Sequence, residues 1–441
     1  MTTHRRQPPW QKVRLGEIAK VISGYAFKSS EFVHDGIPVI KIKNVRVGRT
    51  DLSDIECVDP RFESLDKRYH VTNGDVLISL TGSHLTQPTS VVGRVALHRG
   101  VRCLLNQRAG KIIVKNDQCD SRFVFYALST HESMRSIALM ASGAASQANV
   151  SPTQVESVEL CIPSRQTQRK IASILSAYDD LIENNTRRIT ILDEMAQAIY
   201  REWFVEFRFP GHEKVALVDS PLGKIPKEWE HLPLSHVADV NALSIKKGTE
   251  PEEANYVDIA SVSTGMIDEI RLLPFSEAPG RARRILRHGD IIWSTVRPNR
   301  KSYSLILNPL ENMISSTGFA VISGTKAPFT YLYHALTTND FVGYLVNHAT
   351  GSAYPAVNSG DFEKAEVLVP TDRLLTAFHE TTSDMFLLKH SLQEKNRRLR
   401  STRDLLIPKL ISGQFDVEDL DIDTGEPLAG GEHMAKSEAV A

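Results

Sequence analysis

Long apolar runs are missing from the 441 residues, so no stretch is built to cross a bilayer as a helix. The arginines near the N-terminus are followed by no apolar segment, and a secretory signal peptide is not expected. Cysteine is scarce. The four residues Cys57, Cys103, Cys119 and Cys161 are scattered, with no Cys-x-x-Cys or Cys/His cluster, which points to reduced thiols in a cytoplasmic protein and to no metal site. Charge of one sign is also lacking: the net charge is −1, which at first argues against nucleic acid. The distribution changes that reading. From Asp416 onward eight acidic residues stand against one lysine, so residues 1–413 carry a net +6. That mild surplus suits a DNA-binding body with an acidic tail, and the tail, with its glycines, proline and no periodicity, reads as disordered.

Catalytic signatures are absent as well. There is no Gly-x-x-x-x-Gly-Lys-Ser/Thr phosphate loop, no Asn/Asp-Pro-Pro-aromatic methyltransferase motif, no glycine-rich loop for S-adenosylmethionine, no His-Glu-x-x-His and no zinc-deaminase pattern. Asp361, Glu363 and Lys364 superficially resemble a nuclease carboxylate–lysine set. They lack an upstream acidic partner, and Glu363 has a twin in Glu156, so a structural or surface role is expected.

What the sequence does have is a repeat with a period of about 210 residues, which is domain duplication and not a solenoid. One copy opens at Trp10 and runs through Leu15, Ile18 and Val21; the other opens at Trp229 and runs through Leu234, Val237 and Val240. Mid-copy, Asn73-Gly74-Asp75 before Val76–Ser79 matches His288-Gly289-Asp290 before Ile291–Ser294, a glycine turn feeding a buried strand in each case. Late in each copy a small-residue segment (Gly143–Gln147, Gly351–Pro355) leads to a strand closing on Pro163 or Pro370. Strands are expected at Pro38–Lys43, Val76–Leu80, Lys111–Val114, Asp290–Ser294 and Gly318–Ile322, and helices at Ser121–Met140 and Pro328–Asn347. Each copy is therefore an α+β domain of about 150 residues.

After each copy the period changes. Ile171, Leu175, Tyr178, Ile182, Asn185, Ile189, Leu192, Ala196 and Ile199 follow a 4-3 spacing, as do Leu374, Phe378, Thr381, Met385, Leu388, Leu392, Lys395, Leu399, Thr402 and Leu406. A mean spacing of 3.5 residues keeps one seam facing a partner helix. Asn185 and Lys395 on the seams are either register-fixing polar residues or residues at a water-accessible edge. The simplest partner of each helix is the other one, in an antiparallel coiled coil; pairing between two chains is the alternative. A 30-residue helix is about 45 Å long, and half-sites one turn of B-DNA apart are about 34 Å from each other, so such helices suit a ruler.

These features resemble the specificity (S) subunit family of Type I restriction-modification systems. Gln166-Thr-Gln168-Arg-Lys-Ile171 resembles the family's Glu-Gln-x-x-Ile helix start, with Thr167 in place of the usual glutamate. The run from Tyr178 to Asn185, the run from Ala198 through Trp203 and Phe204, the close from Leu405 through Pro408 to Gly413, and the Asn106-Gln107 pair are similar to family features over residues 10–415. The resemblance implies two target-recognition domains, 1–163 and 209–370 (with a linker at 209–228), spacer helices at 164–208 and 371–413, and an acidic disordered tail at 414–441. It implies a non-catalytic DNA-recognition subunit reading a bipartite, asymmetric site in double-stranded DNA, with two methyltransferase subunits and restriction/translocase subunits as partners. S-adenosylmethionine, ATP and Mg would be bound by those partners, and no cofactor or metal by this chain. A duplicated coiled-coil adaptor for protein partners is the competing reading, and a stand-alone nuclease or methyltransferase is disfavoured by the missing motifs.

Phosphates call for Lys, Arg or small hydroxyls, and base edges for Arg, Asn, Gln or Lys. In the first copy those residue types stand at Lys41, Lys43, Asn44, Arg46, Thr81, Ser83, Asn106, Gln107, Arg108, Ser146 and Gln147; in the second, at Arg297, Asn299, Arg300, Lys301, Ser315, Ser316, Thr317, Ser352 and Tyr354. Arg297–Lys301 is the densest polar cluster.

Overall fold

The structure, a computed structural model, describes residues 10–84, 91–115, 119–144, 147–220 and 223–424. The chain forms two compact units, one made of Met1–Glu183 with Arg397–Ala441 and the other of Asn184–Asn396. Each long helix thus contributes to both units.

The duplication is explicit in strand order. In the first unit a mixed sheet runs Ala19–Ser23, Ala109–Val114, Val76–Ser79, Val95–Leu97, Gly48–Arg49; in the second its counterpart runs Ala238–Val240, Phe319–Gly324, Ile291–Ser294, Tyr303–Leu305. A second sheet runs Phe32–Val33, Glu56–Val58, Ile37–Ile40, Cys103–Leu105, His70–Val71 in the first unit, and Arg271–Pro274, Glu253–Val257, Met313–Ser316, Ala282–Ile285 in the second. In both, the entry strand pairs antiparallel with the strand before the long helix: Gln11–Arg14 with Glu159–Ile162, and Glu230–Pro233 with Glu366–Val369.

The mid-copy turns are built alike. Gly74 and Gly289 adopt φ of +91° and +89°, a conformation that side chains disfavour. The following aspartates then cap their own turns: Asp75 accepts from the Thr72 N–H and Asp290 from the Arg287 N–H, both at 2.7 Å. The strand expected over Pro38–Lys43 stops at Ile40 and passes into a short 3-10 turn at Ile42–Asn44. The single helices expected at Ser121–Met140 and Pro328–Asn347 are each two helices, Ser121–Leu128 with His131–Met140 and Phe329–Ala335 with Asn339–His348. Thr130 and Thr338 make the break by capping the second helix with their hydroxyls, a local bond that competes with helix continuation.

The first core gathers Leu15, Val76, Ile78, Phe123, Phe125 and Leu128 with Ile171, Leu175 and Leu410 of the long helices. The second gathers Trp229, Trp293, Tyr331, Phe341 and Phe362 with Ala196, Phe204, Phe378 and Phe386. The buried indole of Trp293 is satisfied by donating to the Leu336 carbonyl at 3.0 Å. Smaller cores lie on the two faces of each second sheet.

The long helices are Arg165–Tyr200, extended by a π-helical turn at Arg201–Val205, and Asp372–Ile411. They pair antiparallel. In the first unit Arg403 donates to Asp179 at 2.5 Å; in the second Asn185 donates to Asn396 at 2.9 Å, and Lys389 pairs with Asp193. On the first helix, Ile171, Leu175, Ile182 and Asn185 are buried, and Tyr178, Ile189, Leu192 and Ile199 half-buried. On the second, Leu374, Phe378 and Leu392 are buried and Met385, Leu399 and Leu406 half-buried, whereas Leu388 is 41% exposed. Leu388, Thr381, Lys395 and Thr402 do not lie on the seam. The buried positions that take their place are Thr382, Phe386, Lys389 and Asn396. Between Phe378 and Phe386 the spacing runs 4-4, a phase shift of the kind that locally unwinds a coil. The polar residues that take over are each paired, which hides the seam from a reading based on hydropathy.

The acidic stretch expected to lack structure is ordered as far as Thr424. Val417 is buried in the first core and Ile422 packs on it, and Lys170 and Ser173 donate to the carbonyls of Glu418 and Asp423 at 2.7 and 2.6 Å. Two apolar anchors and main-chain bonds hold what charge composition alone assigns to solvent; residues 425–441 lie outside the described residues.

Candidate nucleic-acid interface

In each unit one backbone lattice joins the end of the mid-copy strand, the turn of the following hairpin and the late loop. In the first unit the Leu80 N–H donates to the Arg108 carbonyl (2.9 Å) and Val150 N–H to the Leu80 carbonyl (3.0 Å). In the second, the Thr295 N–H donates to the Gly318 carbonyl and Val357 N–H to the Thr295 carbonyl, both at 2.9 Å. Residues far apart in sequence therefore share one surface per unit.

On the first surface Thr81 donates to the Asn149 side chain at 2.7 Å, and Arg108 reaches the same oxygen at 3.0 Å. Thr81 and Ser83 are buried, Asn106 half-buried, and Gln107, Arg108 and Gln147 exposed. Gln147 lies on the strand Gln147–Asn149, which pairs with Thr81–Gly82. Sequence reasoning missed Asn149; only its place at the end of the small-residue loop could have suggested it. Ser146 lies outside the described residues. The hairpin turn is locked from below by Gly24, where a Cβ would sit 2.2 Å from the Leu105 carbonyl oxygen, so no side chain fits.

Lys41, Lys43, Asn44 and Arg46 form a separate group. Lys41 pairs with Glu56 and lies 3.7 Å above the Phe32 ring; Lys43 bonds Asp54 (2.8 Å) and Glu56 (2.9 Å). Hydrogen bonds from Lys41 and Lys43 hold the Glu56 carboxyl below the usual carboxylate range. Asn44 is not available to DNA. It is buried, accepts from its own turn at the Lys41 N–H (2.9 Å) and donates to the Asp51 carbonyl (2.9 Å). Arg46 is exposed, 3.6 Å from Asp51.

On the second surface Arg297 and Lys301 both adopt φ of +53°, bracketing the turn Pro298–Arg300. The Arg297 N–H donates to the Pro355 carbonyl (2.7 Å), its guanidinium donates to the Ala353 carbonyl (3.1 Å), and it stacks 4.6 Å from the centre of the Tyr354 ring. Tyr354 is nevertheless 69% exposed. Asn299, Arg300, Thr317 and Ser352 are exposed, while Lys301 donates to Asn339 at 3.0 Å. Ser315 and Ser316 are fully buried, Ser316 accepting from the Gly318 N–H, so neither hydroxyl reaches a ligand.

Beside this surface lies a network that sequence reasoning passed over, although the run Gly280-Arg-Ala-Arg-Arg284 signalled it. Asp258 accepts from the Tyr256 hydroxyl (2.9 Å), the Ala260 N–H (3.2 Å) and Arg281 (2.6 Å), with Arg271 at 4.0 Å. Burial opposes its charge, but these donors outweigh it and its pKa falls below the ordinary value. The register aligns this network with the first unit. Ile40 pairs with Leu105 as Val257 pairs with Ser315, so Lys41 takes the place of Asp258; Val39 faces Glu56 as Tyr256 faces Arg271. The ion pair is kept with its signs reversed.

Among the described residues no group of three or more His, Cys, Asp or Glu could hold a metal, and no helix is long and apolar enough to cross a membrane. Asp361, of the carboxylate–lysine set, caps the short helix Ser359–Lys364 by accepting from the Asn358 N–H at 2.8 Å.

Residues 8–193 match the Type I restriction modification DNA specificity domain. The chain is 23% identical over 430 residues to the Type I restriction enzyme MjaIX specificity subunit of Methanocaldococcus jannaschii, an alignment covering 93% of this chain and 94% of that one. Along nearly its whole length the chain is similar to Type I restriction enzyme specificity subunits. It is also 22% identical over 354 residues to the HindI specificity subunit of Haemophilus influenzae, covering 66% of this chain and 77% of the relative. The fold is similar to that of a Type I S subunit from M. genitalium, with a TM-score of 0.56 and 15% identity over 94% of this chain and 98% of that one. The likeness to specificity subunits favours DNA recognition over a protein-adaptor role.

Proposed function

We propose that this chain is the non-catalytic reader of a Type I restriction-modification complex, each unit reading one half of a bipartite, asymmetric DNA site through the surface described above. The observation that carries the reading is the repeated backbone lattice. It brings hairpin turn and late loop together identically in both units, yet decorates them with different side chains (Thr81, Gln107, Arg108 and Gln147; Arg297, Asn299, Arg300 and Tyr354). One scaffold with two sets of polar groups suits two different half-sites. The paired helices set the untouched gap between halves and dock two methyltransferase subunits, and restriction/translocase subunits complete the enzyme. Adenine methylation with S-adenosylmethionine, and ATP- and Mg-dependent translocation, belong to those partners in the cytoplasm. The domain limits are those given above, 1–163 and 209–370 for recognition and 164–208 and 371–413 for the spacers.

The test is to map methylated adenines in cells carrying this chain and its methyltransferase, then to replace residues 218–370 with the second domain of another family member. One half of the motif changes and the other stays. A change in both halves, or DNA affinity that does not fall steeply as salt rises, refutes the reading.

A further inference from the structure

We infer that Arg281 reads a guanine in the half-site of the second unit, with Asp258 and Tyr256 as the positioning residues behind it; the inference rests on the DNA-reading function proposed above. Arg281 precedes the strand Ala282–Ile285, and its carbonyl accepts from the Thr317 N–H at 2.7 Å, so its backbone is tied to the hairpin turn on the proposed reading face. Its Nη2 donates to Asp258 Oδ2 at 2.6 Å. That carboxylate is itself fixed, with the residue only 8% exposed and bonded by the Tyr256 hydroxyl and the Ala260 N–H. The outer parts of the two arginines remain in solvent, with side-chain exposures of 54% for Arg281 and 48% for Arg271.

Two consequences follow from this arrangement. A guanidinium has five donors; Asp258 takes one from Arg281 and the Tyr256 hydroxyl also engages the group, which holds it in one orientation with its outer part turned to solvent. One carboxylate between two guanidinium groups leaves one positive charge in excess, so the ligand is an acceptor. A phosphate satisfies the charge but meets the anionic Asp258 directly behind the arginine. A guanine edge presents two parallel acceptors, O6 and N7, carries no net charge to be repelled, and matches the arginine fork bidentately. The geometry thus favours a base over the backbone. The first unit has Lys41 where this one has Asp258, so it lacks the carboxylate support and reads its own half by other means.

The experiment is selection of a randomised duplex DNA library by the full-length chain at two salt concentrations, followed by sequencing. The wild type yields a two-part motif containing a guanine that depends on Arg281. Arg281→Ala and Arg281→Gln each abolish the preference at that one position, lower affinity for the parent duplex about 5- to 150-fold, and leave the other positions and the salt dependence unchanged. Arg281 is half-exposed, and the glutamine variant is expected to melt with the wild type, which separates misreading from misfolding. Asp258→Asn weakens the preference at the same position and nowhere else. The inference is overturned if both Arg281 variants keep every letter, or if they weaken all duplexes alike with a shallower salt dependence, the mark of a phosphate contact. A wild type that selects no motif ends the broader function; a motif untouched by Arg281→Ala ends only this inference.

Discussion

Asn185 and Asn396 face each other across the helix pair at 4% and 2% exposure, with Asn185 Nδ2 donating to Asn396 Oδ1 at 2.9 Å and Asn396 Nδ2 donating to Thr186 at 3.2 Å. Replacing Asn185 by leucine removes the donor to a buried carbonyl oxygen and brings a branched apolar group against it. Loss of one partner of a buried polar pair costs about 1–3 kcal/mol. Replacing both asparagines by leucine removes both polar groups and leaves an apolar layer of the kind found at the flanking seam positions Ile182 and Leu392. The double variant is therefore close to wild type in stability or above it, and the coupling energy of the cycle is about 1–3 kcal/mol. Urea unfolding of the wild type, both single variants and the double variant measures this directly, with unchanged m-values as the control. The double variant also loses a polar layer that penalises a slipped pairing. Single-variant losses that simply add in the double variant would refute the reasoning, because the two amides would then be acting independently.

Burial pushes His334 down to about 4, with Asp193 opposing and Lys389 reinforcing. An unfolded histidine titrates near 6.5, so the unfolded state binds more protons between those values. Stability of the second unit is full above about pH 6.5, falls as pH drops towards 4, and loses about 3 kcal/mol in all; urea titrations at a series of pH values show this slope, and His334→Leu flattens it. Gly24→Ala, which sets a Cβ against the Leu105 carbonyl, destabilises by more than about 2 kcal/mol and lowers the melting temperature. Seven residues added in phase to both long helices, after Arg188 and after Glu394, lengthen each by about 10.5 Å, the rise of about three base pairs. Methylation mapping then shows unchanged half-site letters around a wider gap. Both helices must be extended because Asp179–Arg403 and Asp193–Lys389 tie them to each other.

The duplication, the α+β class and the helix pair were legible because they rest on periodicity and on glycine–aspartate turns, which are written locally. The phase of the second seam was not, since Thr382, Lys389 and Asn396 are buried through specific partners: Thr382 donates to the Phe378 carbonyl at 2.8 Å, and the other two bond across the pair. Hydropathy assigns such residues to solvent and promotes exposed Leu388 in their place. The site was legible in outline. Residue type pointed to Arg108, Arg297 and Gln147, and the backbone lattice gathers them with the expected loops. It could not separate Asn44 and Ser316, whose polar atoms serve their own turns, from residues that face outward. Nor could it join Arg281, visible in its arginine run, to Asp258, which lies 23 positions away and meets it only through strand pairing.

At the addresses filled by Lys41 and Glu56 in one copy, the other places Asp258 and Arg271, and the surrounding strands do not change partners. The ladder is written in main-chain bonds, so it is indifferent to the sign of what it displays. New vocabulary can then be acquired by exchanging a few outward groups while the frame stays folded, and the duplicated halves are free to diverge in what they recognise without diverging in shape.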